Sequence, residues 1–265
     1  MKKIHLIYAA CLLVGMGACA ASVQKQVKDN SDVWKEYNTG AVLFEDKAPE
    51  TKGSDIYHRI IPDAESYIKA QAREVLATLY NSPDDSIPTV NKIHYTLEDI
   101  EGVSAKGGGN GDVTIFYSTR HIEKSFAKND TAKLFFETRG VLLHELTHAY
   151  QLEPQGIGSY GTNRVFWAFI EGMADAVRVA NGGFDGPNAR PKGGNYMDGY
   201  RTAGYFFVWL RDNKDPEFLR KFNRSTLEVV PWSFDGAIKH ILGNEYNIDE
   251  LWHEYQGAEG DVQEQ

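Results

Sequence analysis

The sequence predicts an α+β fold: a small mixed sheet on the N-terminal side with a long site-bearing helix, followed by a mainly helical C-terminal part. Three observations predict it. Stretches with two-residue alternation lie before residue 120. Beyond them, apolar residues recur at three- and four-residue steps. Clusters rich in Gly, Pro, Asn and Asp punctuate the segments. Early strands followed by many helices is the α+β pattern. The 265 residues suffice for one domain with a real core. There is no internal repeat and no coiled-coil heptad. The net charge of −9 argues against a nucleic-acid partner, for which a basic stripe is expected.

The elements follow in order. Residues 1–20 read as an export signal: Lys2 and Lys3, an apolar run from Ile4 to Met16, then the small residues Gly17 and Ala18 before Cys19 and Ala20. Two cleavages fit. Met16-Gly17-Ala18-Cys19 is similar to a bacterial lipobox, making Cys19 the lipidated first residue, with Met in place of the usual Leu. Ala18-Cys19-Ala20 fits an A-x-A site and a soluble product. The only cysteines are Cys11 and Cys19, so the mature fold has no internal disulfide. Residues 21–53 read as a polar tether and approach, with a short strand at Gly40–Phe44. The domain then runs over 54–257, with a polar tail at 258–265.

Asp63 caps a helix over Pro62–Tyr80, stopped by Ser82-Pro83-Asp84-Asp85. Lys92–Leu97 and Asp112–Ser118 read as strands, and Gly107–Gly111 between them as a flexible turn. Asp130 caps a long helix to about Gln151, whose buried stripe is Phe135, Leu142, Leu146, Ala149 and Tyr150. After a turn-rich link at Pro154–Gly161, a helix spans Val165–Ala180, and a Gly/Pro/Asn-rich loop runs to Asn195. Further helices are expected at Met197–Asp212, Pro216–Phe222, Phe234–Leu242 and Ile248–Tyr255.

The long helix carries His144-Glu145-Leu146-Thr147-His148, an H-E-x-x-H motif. Residues four apart share a helix face, so both imidazoles can reach one metal ion. The next helix carries Glu171 and Asp175, also four apart. Glu171 is the third ligand in a His₂Glu zinc site that keeps one position open, the mark of a catalytic rather than structural ion. Asp175 then accepts the remaining ring N–H of a histidine, His144 for preference; the reverse assignment, Asp175 as ligand, is the alternative. Glu145 is the general base for water activated at the ion. Tyr200 or Tyr205, with Tyr200 preferred, supplies a hydrogen bond to the oxyanion. Gly140 either clears space below the metal or admits a neighbouring helix. The remaining histidines of the domain (His58, His94, His121, His240, His253) lack paired ligand spacing and read as structural. No calcium-loop spacing appears.

The run Gly140–Gln151, then Glu171-Gly172-Met173-Ala174-Asp175-Ala176-Val177-Arg178, then Gly199-Tyr200, resembles the plant and bacterial basic secretory protein family. The resemblance spans about residues 54–257. It implies a zincin-like, gluzincin-like peptidase fold with one zinc ion on His144, His148 and a downstream acid. It also implies that Val103–Gly109 lies beside an edge strand facing the cleft, where a peptide adds as a further strand. The acidic charge departs from the family's name, so no role tied to positive charge carries over.

The expected function is an exported zinc endopeptidase acting on peptides or proteins outside the cytoplasm. It meets a membrane only through a lipid on Cys19, as an outer-membrane or cell-surface lipoprotein, with a periplasmic or secreted protein as alternative. Two other readings stand beside it: a peptidase restricted to glycosylated proteins, and a non-catalytic surface-binding lipoprotein whose zinc is structural.

Overall fold

The computed structural model describes residues 31–261 apart from Asp185 and Pro187. The expected export signal, Cys19 and residues 21–30 lie outside the described residues. The fold is α+β: a four-stranded mixed sheet on the N-terminal side, with most of the rest helical. Strands β1 (Ala41–Asp46), β2 (Lys92–Glu98), β3 (Ser104–Gly109) and β4 (Asp112–Ser118) stand in the order β1-β2-β4-β3. β1 and β2 are parallel, as are β2 and β4, while β3 runs antiparallel to β4. A parallel neighbour requires a crossover. Helices α1 (Lys52–Ile60) and α2 (Ala64–Leu79) provide it between β1 and β2. β1 lies within the 21–53 stretch and is a full member of the sheet, in register from Ala41↔Lys92 to Asp46↔Leu97.

The central strands bury Ile93, Tyr95 and Leu97, and Val113, Ile115 and Tyr117, at alternate positions, in the core they share with α2. The Gly107–Gly111 stretch departs from expectation. Gly107, Gly108 and Gly109 are the end of β3, paired with Thr114, Val113 and Asp112. Only Asn110 and Gly111 turn the chain, at φ 52° and 84°, as a two-residue Asn-Gly hairpin requires. β3 is thus itself the edge strand. Glycine has no side chain to alternate, so no periodicity betrayed it.

Helix α3 (Thr119–Ser125) follows β4, and α4 (Thr131–Tyr150) starts where Asp130 accepts a hydrogen bond from the Lys133 amide. Leu142, Leu146, Ala149 and Tyr150 are buried, but Phe135 is not: it is 41 % exposed. Leu134 takes the inward position at that end, and the Phe135 ring lies against Tyr67, centroids 5.4 Å apart.

The helical part comprises α5 (Arg164–Ala180), α6 (Tyr200–Asn213), α7 (Phe218–Glu228), α8 (Phe234–Leu242) and α9 (Ile248–Ala258). The helix expected over Met197–Asp212 is broken at Gly199, leaving a 3₁₀ turn at Tyr196–Asp198 before α6. α7 and α9 run past their expected ends at Phe222 and Tyr255. The seam between α5 and α6 is unusually close. A Cβ at Gly204 would stand 2.8 Å from the Ala176 amide nitrogen, and one at Gly172 would stand 2.7 Å from Phe207. Behind it, Phe169 against Trp232 (4.7 Å) and Phe207 against Phe222 (4.9 Å) form an aromatic core. This packing fixes the α5 face that carries Glu171 and Asp175. Among the described residues, no helix is long and apolar enough to cross a membrane.

Candidate metal centre

α4 and α5 run antiparallel, and three contacts set their register: Gly140 faces Arg178, His144 faces Asp175, and His148 faces Glu171. The two Nε2 atoms of His144 and His148 lie 3.1 Å apart, and Glu171 Oε2 lies 3.4 Å and 3.7 Å from them. The point equidistant from these three atoms is about 2.0 Å from each, the length of a metal bond to imidazole or carboxylate at a tetrahedral site. Glu171 Oε2 is buried and accepts no hydrogen bond. An unmatched buried acceptor is costly, and a cation at that point would satisfy it. His144, His148 and Glu171 therefore form a group that could hold a metal ion.

The atoms facing away from this point are held by the protein. Asp175 Oδ1 lies 2.7 Å from His144 Nδ1 and accepts its proton. The Gln151 side-chain amide lies 2.8 Å from His148 Nδ1. It is the amide nitrogen that faces the ring, while the amide oxygen has no partner among the described residues; a His148 that binds a metal through Nε2 carries its proton on Nδ1, and turning the amide over lets that oxygen accept it. The Tyr160 hydroxyl donates to Glu171 Oε1 at 2.5 Å. Each ligand thus has one edge fixed and one free, the arrangement that orients metal ligands. Gln151 and Tyr160 were not foreseen. Gln151 could have been found three residues after His148, on the same helix side. Tyr160, in the connecting loop, left no signal of that kind.

The protein's own groups polarise the site. Burial works to lower the pKa of His144, but Asp175 and Glu171 outweigh it and raise it to about 10. His148 is pushed down to about 3, by burial first and then by the charge on His144. Burial works to raise Glu171, yet His144, His148 and the Tyr160 hydroxyl hold it below its ordinary 4.5. Glu145, buried beside the ligands, is raised above 4.5 by burial, against the pull of His144 and of hydrogen bonds from Ser104 and the Lys106 backbone of β3.

Tyr200 stacks on the His144 ring, centroids 6.0 Å apart and planes within 13°, and meets Trp167 edge-on at 5.4 Å. It is held there by an unusual backbone: Gly199 at φ 66° and Tyr200 itself at φ 42°, a region that bulky residues seldom occupy. A Cβ at Gly199 would come within 2.7 Å of the Trp167 ring and 3.3 Å of Glu171 Cβ. Tyr205 is placed elsewhere: its hydroxyl donates to the Phe184 carbonyl at 2.9 Å, and it does not line the cleft. Gly140 makes room for the Arg178 side chain of α5, so the neighbouring-helix reading applies, not clearance below the metal.

The centre opens into a cleft of about 820 Å³, walled by residues 103–106 of β3 and its approach and by Tyr160, Tyr200 and Arg201. His58, His94, His121 and His240 sit away from it, paired with Asp46, Glu45, Glu137 and Glu228. Among the described residues, no second group of three metal-ligating side chains converges. A family model described as BSP, peptidase of plants and bacteria, matches residues 39–255. No curated protein and no solved structure matches the chain.

Proposed function

Because the chain belongs to the BSP family of peptidases of plants and bacteria, we propose that it is an exported, zinc-dependent endopeptidase with Glu145 as general base. The observation that carries this reading is the unsatisfied Glu171 Oε2 facing two imidazole nitrogens at metal-site spacing. When bound, zinc supplies the Lewis acidity that polarises a peptide carbonyl and brings the pKa of a water towards neutrality. The rest falls to the chain. Asp175 and Gln151 hold the two rings so that their Nε2 lone pairs converge. Glu145 takes the proton of the attacking water and passes it to the leaving amine; its raised pKa suits a group that must both accept and donate near neutral pH. Tyr200, on the rim above His144, donates its phenol to the developing oxyanion. The open edge of β3 takes the extended substrate as an added strand.

An export signal over residues 1–20 with lipid on Cys19 accords with action at the bacterial outer membrane or cell surface; cleavage at the A-x-A site would instead give a periplasmic or secreted enzyme. The decisive experiment digests a proteome-derived peptide library with wild type and Glu145→Gln, with mass spectrometry of the products and metal analysis of both proteins. Zinc near one equivalent in both, with new internal cleavages by wild type alone, is expected. Equal cleavage by both, or a zinc-loaded wild type without cleavage, would overturn the proposal. The latter result, with unfolding on chelation seen by circular dichroism, assigns the ion a structural role.

A further inference from the structure

We propose that the cleft carries a carboxylate-binding subsite beside the metal centre, built on Arg178 and completed by Arg201. It rests on the peptidase reading of the cleft and names a feature of the substrate. Arg178 lines the cleft, yet its side chain is only 8 % exposed. Its guanidinium is clamped between Gly140, where an added Cβ would stand 2.4 Å from Nε, and the Phe184 ring, whose centroid is 3.8 Å from Cζ. The protein takes little of its donor capacity. Nη2 donates to Glu137 Oε2 at 2.9 Å, Nε is buried with no acceptor, and Nη1 donates to no side chain or carbonyl among the described residues. A guanidinium carries five N–H donors in a planar fork matched to a carboxylate. Nε lies buried against Gly140, so the donors left for the cleft are those of Nη1 and the second N–H of Nη2, and a rigidly held guanidinium offering that pair is the recognition half of such a contact.

Arg201 enters from α6. Its Cζ lies 5.5 Å from the same Phe184 ring, and Nη1 donates to the Ala189 carbonyl at 3.2 Å. The carboxylates at this end are engaged: Asp175 on His144, and Glu137 on both Arg178 and His121. An incoming anion therefore meets cations before it meets a free acid. Position narrows the ligand further. Gly140 precedes His144 by four residues, about 6 Å of helix, a distance that one residue of extended peptide, advancing about 3.3 Å, spans together with its own side chain or terminal group. The carboxylate thus belongs to the residue flanking the scissile bond, as an acidic side chain or as that residue's terminal carboxylate.

The test uses four short peptide hydroxamates, which anchor on the metal and are not cleaved. The residue next to the hydroxamate is Glu or Gln, and the C-terminus is free or amidated. Affinity for the zinc-loaded full chain is measured by calorimetry. At least tenfold tighter binding of a carboxylate-bearing compound over its neutral match is expected. A gain with Glu assigns a side chain, and a gain with the free terminus assigns a terminal carboxylate. The gain should vanish in Arg178→Gln and shrink in Arg201→Gln, an exposed position that leaves the core intact. Arg178→Gln also strips Glu137 of its partner, so Arg178→Gln/Glu137→Gln, which removes both charges, is measured beside it. Binding of all four compounds within twofold, or a preference that survives the double change, overturns the subsite. Because binding is read without turnover, a protein that cleaves peptides but ignores the carboxylate loses only this inference. One that prefers carboxylates but cleaves nothing loses only the peptidase reading.

Discussion

Replacing Gly140 with alanine should destabilise this protein, although alanine is the better helix former by about 1 kcal/mol. The new Cβ would stand 2.4 Å from Arg178 Nε and 2.7 Å from Cζ and Nη2. A flexible arginine on a surface would step aside. This one has Phe184 at 3.8 Å behind it and is only 8 % exposed, so it can leave only by giving up Glu137. Breaking a buried ion pair costs about 3–5 kcal/mol. Glu137 keeps 27 % exposure and would be partly rescued by water, which places the cost at or below the lower end, about 2–3 kcal/mol. Subtracting the helix-propensity gain leaves a net loss of about 1–2 kcal/mol, or a Tm lower by about 3–6 °C for a domain of this size. The assay is a double-mutant cycle by urea and thermal unfolding in Gly140→Ala, Arg178→Gln and the combination. In the Arg178→Gln background the sign should reverse, with alanine stabilising by about 1 kcal/mol. A stabilising Gly140→Ala in the wild-type background, or the same cost in both backgrounds, would refute the clamp.

Asp175→Asn should weaken zinc binding about 10- to 100-fold, read by competition with a chromophoric chelator, because it exchanges the anionic acceptor of His144 Nδ1 for a neutral one. Tyr160→Phe should weaken it about tenfold by freeing Glu171 Oε1; unchanged zinc affinity would remove Tyr160 from the centre. Glu137 is held below its ordinary 4.5, by its hydrogen bond to His121 and, despite burial, by the Arg178 charge. A carboxyl with a depressed folded pKa stabilises fully above its unfolded value and loses that stabilisation as pH falls through the folded one. The urea midpoint of wild type should therefore fall more steeply than that of Glu137→Gln as pH drops below about 4.5, and parallel curves would contradict the assignment.

Much of this was legible in the sequence because it follows from spacing. His144 and His148, and Glu171 and Asp175, are one turn apart on their helices, and the caps Asp63 and Asp130 stand where their side chains accept amide protons. What escaped had no spacing to read. β3 ends in three glycines and is defined only by its pairing with β4. α1 and α3, nine and seven residues long, are too short for a periodic stripe to stand out. The break at Gly199 was hidden because the three- and four-residue apolar spacing of Ala203, Phe206, Phe207 and Leu210 runs on beyond it, and only the packing of Trp167 and Glu171 against that glycine shows why the chain stops and restarts there. Tyr160 reaches Glu171 from a loop, where no periodic rule applies.

The two site helices explain why the missed Arg178 belongs with the residues that were found. On α4 the facing positions are 140, 144 and 148; on α5 they are 178, 175 and 171, so the index falls on one helix as it rises on the other. Once His148 is set opposite Glu171, antiparallel geometry puts Asp175 opposite His144 and the residue two turns past Glu171 opposite Gly140. That residue must be accommodated by whatever stands at 140, and only glycine leaves room for a guanidinium there. A slip of α5 by one residue would rotate its face by about 100° and take Glu171, Asp175 and Arg178 away from their partners together. The α5–α6 seam opposes that slip on the flank of α5 turned to α6, where a Cβ at Gly172 would meet Ala203 and Phe207 at 2.7 Å and one at Gly204 would stand 2.9 Å from Asp175 Cβ. The three residues that could hold a metal ion, the proton acceptor on His144 and the proposed anion subsite are therefore one register, and the glycines beside it are as much a part of the candidate centre as those three residues.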